Sequence, residues 1–193
     1  MEQGEVGRLL VASLHQSIAD ELPTRLEFYE NWLRAEALRD GAIGLSALAA
    51  VLSFLRQEGA PYDRVTNRAG EYAADWSFST LSGTRLAVLR LLPHSWRGRM
   101  ALSVARRLVH QTFRKSFALS RLRRGEGTFD IRHSVFCSVR EPATHPLCGY
   151  YAAAVTRLFA LCAVNGTAIS TECRGVGGTV CRVAVALDRS PRG

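Results

Sequence analysis

The chain has 193 residues, the length of one ordinary domain, and 47% of them are hydrophobic, which excludes disordered and collagen-like classes. Its formal net charge of +8 predicts an attraction to anions. The longest uncharged stretch, residues 41–55, is shorter than the roughly 20 residues that a membrane span needs. The N-terminus has no signal-peptide pattern. We therefore expect a cytoplasmic protein without a transmembrane segment.

The first half of the sequence predicts helices. Apolar residues recur at helical spacing from the N-terminus onward, Pro23 suits the first turn of a helix, and Pro93 separates two later segments. The segment 43–56 is apolar nearly all round, as in a helix buried on most faces. The predicted helices cover residues 5–18, 23–41, 43–56, 62–80, 84–92 and 95–115.

The second half predicts two hairpins with a helix between them. Residues 116–124 and 128–139 alternate loosely around a glycine-containing turn at 125–127, and residues 167–174 and 179–187 flank a second glycine-rich turn. An amphipathic helix is predicted at 147–164. The predicted fold class is α+β, a helical N-terminal half packed on a small antiparallel sheet of hairpin–helix–hairpin order.

The segment from Trp76 to Gly125 contains eleven cations and no acidic residue. It favours a solvated helical face, an anion site or, less well, a membrane surface. No nucleic-acid-binding motif accompanies the charge, so we expect no nucleic-acid partner. The cations are Arg85, Arg90, Arg97, Arg99, Arg106, Arg107, Arg114, Lys115, Arg121, Arg123 and Arg124.

Five cysteines lie in the last third of the chain, and their odd number argues against a disulfide framework. His133 and Cys137 lie on the same predicted strand, four residues and about 13 Å apart. That distance makes a nucleophile–base pair unfavourable, so no catalytic residue is predicted. The glycine-rich turn at 175–178 does not lead into a helix, and therefore lacks the context of a dinucleotide-binding loop.

The C-terminal order of motifs resembles the 4-vinyl-reductase domain family. The similar elements are Cys148-Gly-Tyr-Tyr at the start of a helix, Glu172-Cys173, Gly177-Gly178, and Cys181, which is separated from Cys173 by seven residues. Residues 69–76, 89–93 and 110–113 are similar to the bacteriochlorophyll-biosynthesis branch. The resemblance implies a helical region, 1–84, and a ligand-binding region, 85–187, in one compact domain. It also implies a fold shared with TRAPP subunits and phenol-sensor domains, around an apolar pocket.

The resemblance further implies a non-catalytic protein that binds an apolar, anionic small molecule, a tetrapyrrole above all, as an accessory to pigment metabolism. Its partners would be a second copy of the chain in a homodimer and pigment-biosynthesis enzymes. The alternatives are a TRAPP-like dimeric scaffold and a vinyl reductase that takes electrons from a partner. The candidate ligand-binding residues are Arg90, Arg97, Arg106, Arg107, His110, Phe113, Trp76, Tyr150 and Tyr151.

Three cysteines of the same motif, Cys148, Cys173 and Cys181, are candidates for a zinc site. His145 or water would be the fourth ligand, because sulfur-rich tetrahedral sites suit Zn²⁺. The phenol-sensor branch has a glutamate three residues before the middle cysteine, where this sequence has Ser170. Neighbouring strand residues point to opposite faces, so Glu172 does not replace that ligand. The alternative is that the cysteines are small core residues.

Overall fold

The computed structural model describes residues 6–31, 33, 44–138 and 143–188. Every helix predicted within these ranges is present, and its described boundaries lie within a few residues of their predicted places, except that the helix predicted to end at residue 41 ends at Glu30. The predicted helix 23–41 begins as a 3-10 turn, Pro23–Arg25, and residues 34–41 lie outside the described part. The helices are α1 (Arg8–Glu21), α2 (Leu26–Glu30), α3 (Leu45–Gln57), α4 (Ala60–Ser79), α5 (Gly83–Leu91), α6 (His94–Thr112) and α7 (Gly149–Leu161).

Four antiparallel strands form one sheet in the order β1-β2-β4-β3. They are β1 (Phe117–Arg123), β2 (Glu126–Arg132), β3 (Gly166–Glu172) and β4 (Cys181–Leu187), with α7 between the two hairpins in the chain. The predicted α+β class and the hairpin–helix–hairpin order are confirmed. In the described part of the chain, no helix combines the length and the apolarity needed to cross a bilayer.

The second strand ends earlier than predicted, and this difference changes the position of Cys137. β2 ends at Arg132, which pairs with Phe117, the first residue of β1. β1 therefore has no residue left to pair with a residue of β2 beyond Arg132. His133 takes a left-handed φ of 55°, and a 3-10 turn, Val135–Cys137, follows. Cys137 therefore lies on a turn, and its predicted place on a strand with His133 is wrong.

Helix α7 packs between α4 and the sheet, and small residues allow a close approach to α4. A Cβ atom on Gly70 of α4 would lie 2.1 Å from the carbonyl oxygen of Tyr150 in α7. Ala73 and Ala154, also small, are buried on the same two helices. The position of α7, and of the residues that precede it, is therefore fixed by backbone contact with α4.

Candidate functional site: a thiol cluster and two clefts

Four cysteine sulfurs meet at one end of the sheet. Cys137 Sγ lies 3.1 Å from that of Cys148 and 3.2 Å from those of Cys173 and Cys181. The four sulfurs all lie within 4.8 Å of one another, and none is in a disulfide. Cys148, Cys173 and Cys181 are buried, whereas Cys137 is partly exposed. We call this set the thiol cluster.

Each cysteine of the thiol cluster is placed by a different local element. Cys137 ends the 3-10 turn after β2, and Cys148 is the N-cap residue of α7. Cys173 follows β3, and Cys181 is the first residue of β4, opposite Ile131 of β2. Four separate segments between residues 135 and 187 thus converge, which no single local motif could produce.

Backbone groups support the thiol cluster. The N–H groups of Leu147 and Gly175 both donate to Cys173 Sγ, at 3.4 and 3.3 Å. The Tyr62 hydroxyl of α4 donates to the carbonyl of Leu147 at 3.1 Å, which ties the loop before Cys148 to the helical half. N–H donors directed at a sulfur favour its thiolate form.

The mutual contacts shift the thiol pKa values in opposite directions. Contacts with the other three thiols lower the pKa of Cys173, and contacts with Cys137 and Cys148 lower the pKa of Cys181. Contacts with the other sulfurs, together with burial, raise the pKa of Cys148. The pKa of Cys137 is also raised, since Cys173, Cys181 and burial outweigh the lowering effect of Cys148. Without a cation, the four groups cannot all ionise in one buried place.

The donor set fits a mononuclear metal. Four sulfurs about 2.3 Å from one zinc ion stand roughly 3.8 Å apart at the corners of a tetrahedron. The closest sulfur pairs in the thiol cluster are 3.1 to 3.7 Å apart. A four-thiolate tetrahedral site suits zinc or a single iron better than hard, oxygen-preferring cations.

The structure adds Cys137 to the three predicted ligands. His145, the predicted alternative, is exposed and lies 3.8 Å from a carboxylate oxygen of Asp63, outside the thiol cluster. Glu172 accepts from the Thr179 backbone at 3.1 Å and from Arg182 at 3.4 Å. One signal could have revealed Cys137: a hairpin pairs residue for residue, so β1 leaves nothing for a strand beyond Arg132 to pair with.

Three of the predicted ligand-binding arginines have described side chains, and none of these three lines either of the two clefts described below. The Arg97 guanidinium donates to the carbonyls of Leu92 and Ala163, at 3.1 and 3.2 Å. Arg106, Arg107 and His110 are exposed on α6. The backbone of Arg90 lies in α5, but its side chain is outside the described part.

The predicted aromatic residues fall into two environments. Tyr150 and Tyr151 are fully buried beside Phe136, with ring centroids 4.9 and 5.5 Å from its ring, and burial raises the pKa of both hydroxyls. Phe113 is buried after α6. Trp76 is 36% exposed on α4. The aromatic residues expected to surround one ligand therefore belong partly to a packed core.

Trp76 lines an open cleft of about 480 Å³ between α1, α4 and α6. Its ring stacks on Tyr72 at 5.7 Å, and Arg68 covers the Tyr72 ring at 4.6 Å. Ser77 is 8% exposed, and its hydroxyl has no hydrogen-bond partner among the described residues. We call this the Trp76 cleft; its lining is Arg8, Leu9, Ala12, Trp76, Ser77, Thr80 and Gln111.

A second cleft of about 210 Å³ lies where the start of α6 meets the end of the sheet. Leu122 and Leu187 are its apolar residues, and Arg99, Arg124 and His94 its basic ones. Gly98 packs here, because a Cβ atom on it would lie 2.6 Å from Leu187. The predicted ligand site combines an apolar pocket with arginines. This cleft has both kinds of residue, but its arginines are not the four predicted to bind the ligand.

Comparison with known proteins identifies the fold. An H-NOX protein mutant from K. algicida, in the Fe(II) unliganded form, superposes with a TM-score of 0.61 at 11% identity, covering 96% of this chain and 98% of that one. The chain has an H-NOX-like fold. An H-NOX protein from S. oneidensis in the Fe(II)NO state gives 0.57 at 11% identity, covering 95% and 99%. The phenol-responsive sensory domain of PoxR, at 19% identity and 74% coverage of each chain, gives 0.48.

The resemblance to the 4-vinyl-reductase domain family is wrong. No protein-family model matches the chain, and neither does any curated protein. The H-NOX likeness extends over 96% of the chain, whereas the resemblance rested on a few cysteines and glycines. Those residues have a structural explanation. Cys148, Cys173 and Cys181 lie close together because the start of α7 and the last hairpin meet in space. Gly177, with φ of 91°, serves the turn between β3 and β4.

Proposed function

We propose that this chain is a small-molecule-binding domain of the sensory type, whose C-terminal half is held by one Zn²⁺ ion on Cys137, Cys148, Cys173 and Cys181. The observation that carries the proposal is the convergence of four unbridged thiols within 4.8 Å. A divalent cation would allow all four to be thiolates and would offset their mutual repulsion.

The role of the metal in this proposal is structural. All four positions of a tetrahedron are taken by protein sulfurs, which leaves none for water or substrate. The metal joins β2, α7, β3 and β4 through side chains at their ends. Reduced thiols are required, which agrees with the predicted cytoplasmic location.

Metal analysis of the purified protein tests the zinc site directly. We expect one zinc per chain by mass spectrometry, and replacement by Co²⁺ should give the absorption of a tetrahedral tetrathiolate. Cys137→Ser should weaken metal retention because it removes the ligand that distinguishes this four-thiol site. Cys162→Ser is the matched control, since Cys162 is buried at the end of α7 but outside the thiol cluster. Protein that binds no metal under reducing conditions would contradict the proposal.

The Trp76 cleft is the proposed ligand site. Its volume of about 480 Å³ falls within the roughly 300–1,000 Å³ of small-molecule pockets. Trp76 offers an aromatic face, Leu9 and Ala12 offer apolar contacts, and the buried Ser77 hydroxyl offers a polar group that has no hydrogen-bond partner in the described part of the chain. These groups suit a flat, apolar molecule with at least one polar substituent.

The shared fold agrees with this proposal, since H-NOX proteins carry Fe(II) and, in one state, NO. A tetrapyrrole remains a prediction, and so do homodimerisation and pigment-biosynthesis partners. Titration with haem, followed by the Soret band, separates the tetrapyrrole from smaller ligands. Titration with benzoate and with indole, followed by NMR shifts, tests the Trp76 cleft.

Trp76→Ala should abolish binding of the small aromatic probes, whereas Trp96→Ala, a tryptophan outside this cleft, should leave it unchanged. Equal loss in both variants would reject the Trp76 cleft as the site. Haem binding with no response from Trp76 would place the ligand elsewhere. Failure of all three probes to bind would count against the ligand-binding proposal and leave the zinc measurement unaffected.

A further inference from the structure

The end of α5 and the start of α6 expose two large apolar side chains. Leu91, the last residue of α5, is 86% exposed, and Trp96, in the first turn of α6, is 56% exposed. Single exposed apolar residues are common, but these two lie within five residues of each other at a helix junction. We call the region formed by Leu91, His94, Ser95, Trp96, Arg99 and Arg124 the α5–α6 corner.

One arginine lies beside the Trp96 ring, and a second lines the same cleft as that arginine. The Arg99 guanidinium lies 5.8 Å from the centroid of the Trp96 ring, and Arg99 and Arg124 line the 210 Å³ cleft together. Neither arginine forms an ion pair within the described ranges 6–31, 33, 44–138 and 143–188. Asp188 is the one carboxylate among the lining residues, against two guanidinium groups and the imidazole of His94. The cleft therefore has an excess of positive charge.

The α5–α6 corner combines an aliphatic, an aromatic and two cationic side chains. Leu91 supplies an aliphatic group, Trp96 an amphipathic ring, and Arg99 and Arg124 bind phosphate oxygens well. A membrane surface has apolar chains beneath anionic headgroups, and so matches both the apolar side chains and the charge.

We propose that the α5–α6 corner docks on a membrane surface that contains anionic phospholipid. A headgroup phosphate occupies the cleft between Arg99 and Arg124, and Leu91 and Trp96 enter the interfacial layer. The contact is peripheral and reversible, since it uses two apolar side chains and a few cations.

Vesicle co-sedimentation at about 150 mM salt tests this proposal. Phosphatidylcholine vesicles with one third phosphatidylserine should bind the protein, and vesicles of pure phosphatidylcholine should not. Because each cation near the surface contributes roughly a five-fold factor, the double variant Arg99→Gln/Arg124→Gln should bind about 30-fold more weakly. Leu91→Ser/Trp96→Ala should also reduce binding by at least about ten-fold.

Arg106→Gln/Arg107→Gln is the matched control, because it removes the same charge from exposed positions of α6 outside the corner. It should change binding less than about two-fold at this ionic strength. Equal weakening by both double variants would show that net charge alone acts, and would overturn the proposal. So would the absence of binding to the phosphatidylserine vesicles.

Two further measurements test the proposal with readouts other than vesicle co-sedimentation. In the unmodified protein, lipids brominated near the headgroup should quench tryptophan fluorescence, and Trp96→Phe should remove most of that quenching. A duplex DNA oligonucleotide is the competing anion. If DNA binds as tightly as the vesicles and Leu91→Ser/Trp96→Ala leaves its binding unchanged, the corner is a polyanion site and the membrane proposal is wrong.

Discussion

The thiol cluster and the α5–α6 corner are built at different depths of the same domain. Three of the four clustered cysteines are buried. The four side chains come from four different elements, and all four elements must be in place to bring the sulfurs together. The corner is exposed, and its apolar residues come from two consecutive helices. A buried convergent site therefore depends on the whole fold, whereas an exposed one tolerates loss of its members one at a time.

The largest effect expected from this difference is at the thiol cluster. Cys148→Ser should lose the metal and with it about 4 kcal/mol of stability, the linkage expected when free zinc exceeds the dissociation constant 1,000-fold. For a domain of this size that corresponds to a fall in Tm of roughly 8–16 °C. Thermal melting with zinc and with a chelator measures it. If chelation leaves the Tm unchanged, the metal does not hold this half of the fold together.

A substitution away from the cysteines shows whether the fold itself positions the cluster. Gly70→Ala should cost at least about 1–3 kcal/mol, because its Cβ would lie 2.1 Å from the Tyr150 carbonyl oxygen and push α7 away from α4. Since Cys148 caps α7, zinc affinity should fall as well. Denaturant unfolding and zinc competition with a chelator measure the two effects.

Gly83→Ala is the control for that experiment. The position opens α5 and has no atom within 4 Å of an added Cβ, so it should leave both stability and zinc affinity nearly unchanged. A Gly70→Ala protein as stable as this control would mean that α4 and α7 can separate without disturbing the fold.

The basic segment contains arginines of two kinds, and Arg97 and Arg106 are an example of each. Arg97→Ala should cost about 1 kcal/mol, because its guanidinium donates to two carbonyl oxygens, one of them in the loop after α7. Arg106→Ala should stay within about 0.5 kcal/mol of the unmodified protein, as is usual for an exposed side chain. Urea unfolding of both variants makes the comparison. Equal destabilisation would contradict the distinction.

The smallest effect concerns a surface carboxylate. The Tyr72 hydroxyl donates to Asp20 and lowers the pKa of that carboxyl. Tyr72→Phe should raise this pKa toward its ordinary value, which carbon NMR of the carboxyl group can follow. Because the lowered pKa belongs to the folded state, its stabilising effect is present above the unfolded-state pKa and is lost as the pH falls through the folded-state value. An unchanged pKa in the variant would assign the shift to Gln16 and Arg68 instead.

The sequence by itself determined the helices, the two hairpins and their order. These follow from the spacing of apolar residues and from glycine and proline at turns, which are local properties. Cys148, Cys173 and Cys181 were grouped only through the resemblance to the 4-vinyl-reductase family, which is wrong as a family assignment. The sequence did not reveal Cys137, because alternation alone let the second strand run to residue 139, and the end of β2 depends on how much of β1 remains to pair.

Only the tertiary structure decided which residues share a site. The cations of the segment 76–125 are neighbours in sequence, but their side chains lie in different environments. Arg106 and Arg107 are exposed to solvent, and Arg97 donates to two carbonyl oxygens. Arg99 lines a cleft together with Arg124. The cysteines show the opposite case, because they are separated in sequence but close in space. The turn after β2, the start of α7 and the last hairpin all lie at one end of the sheet. Spacing along the chain specifies each element, but only the packing of elements against one another sets the distance between two side chains.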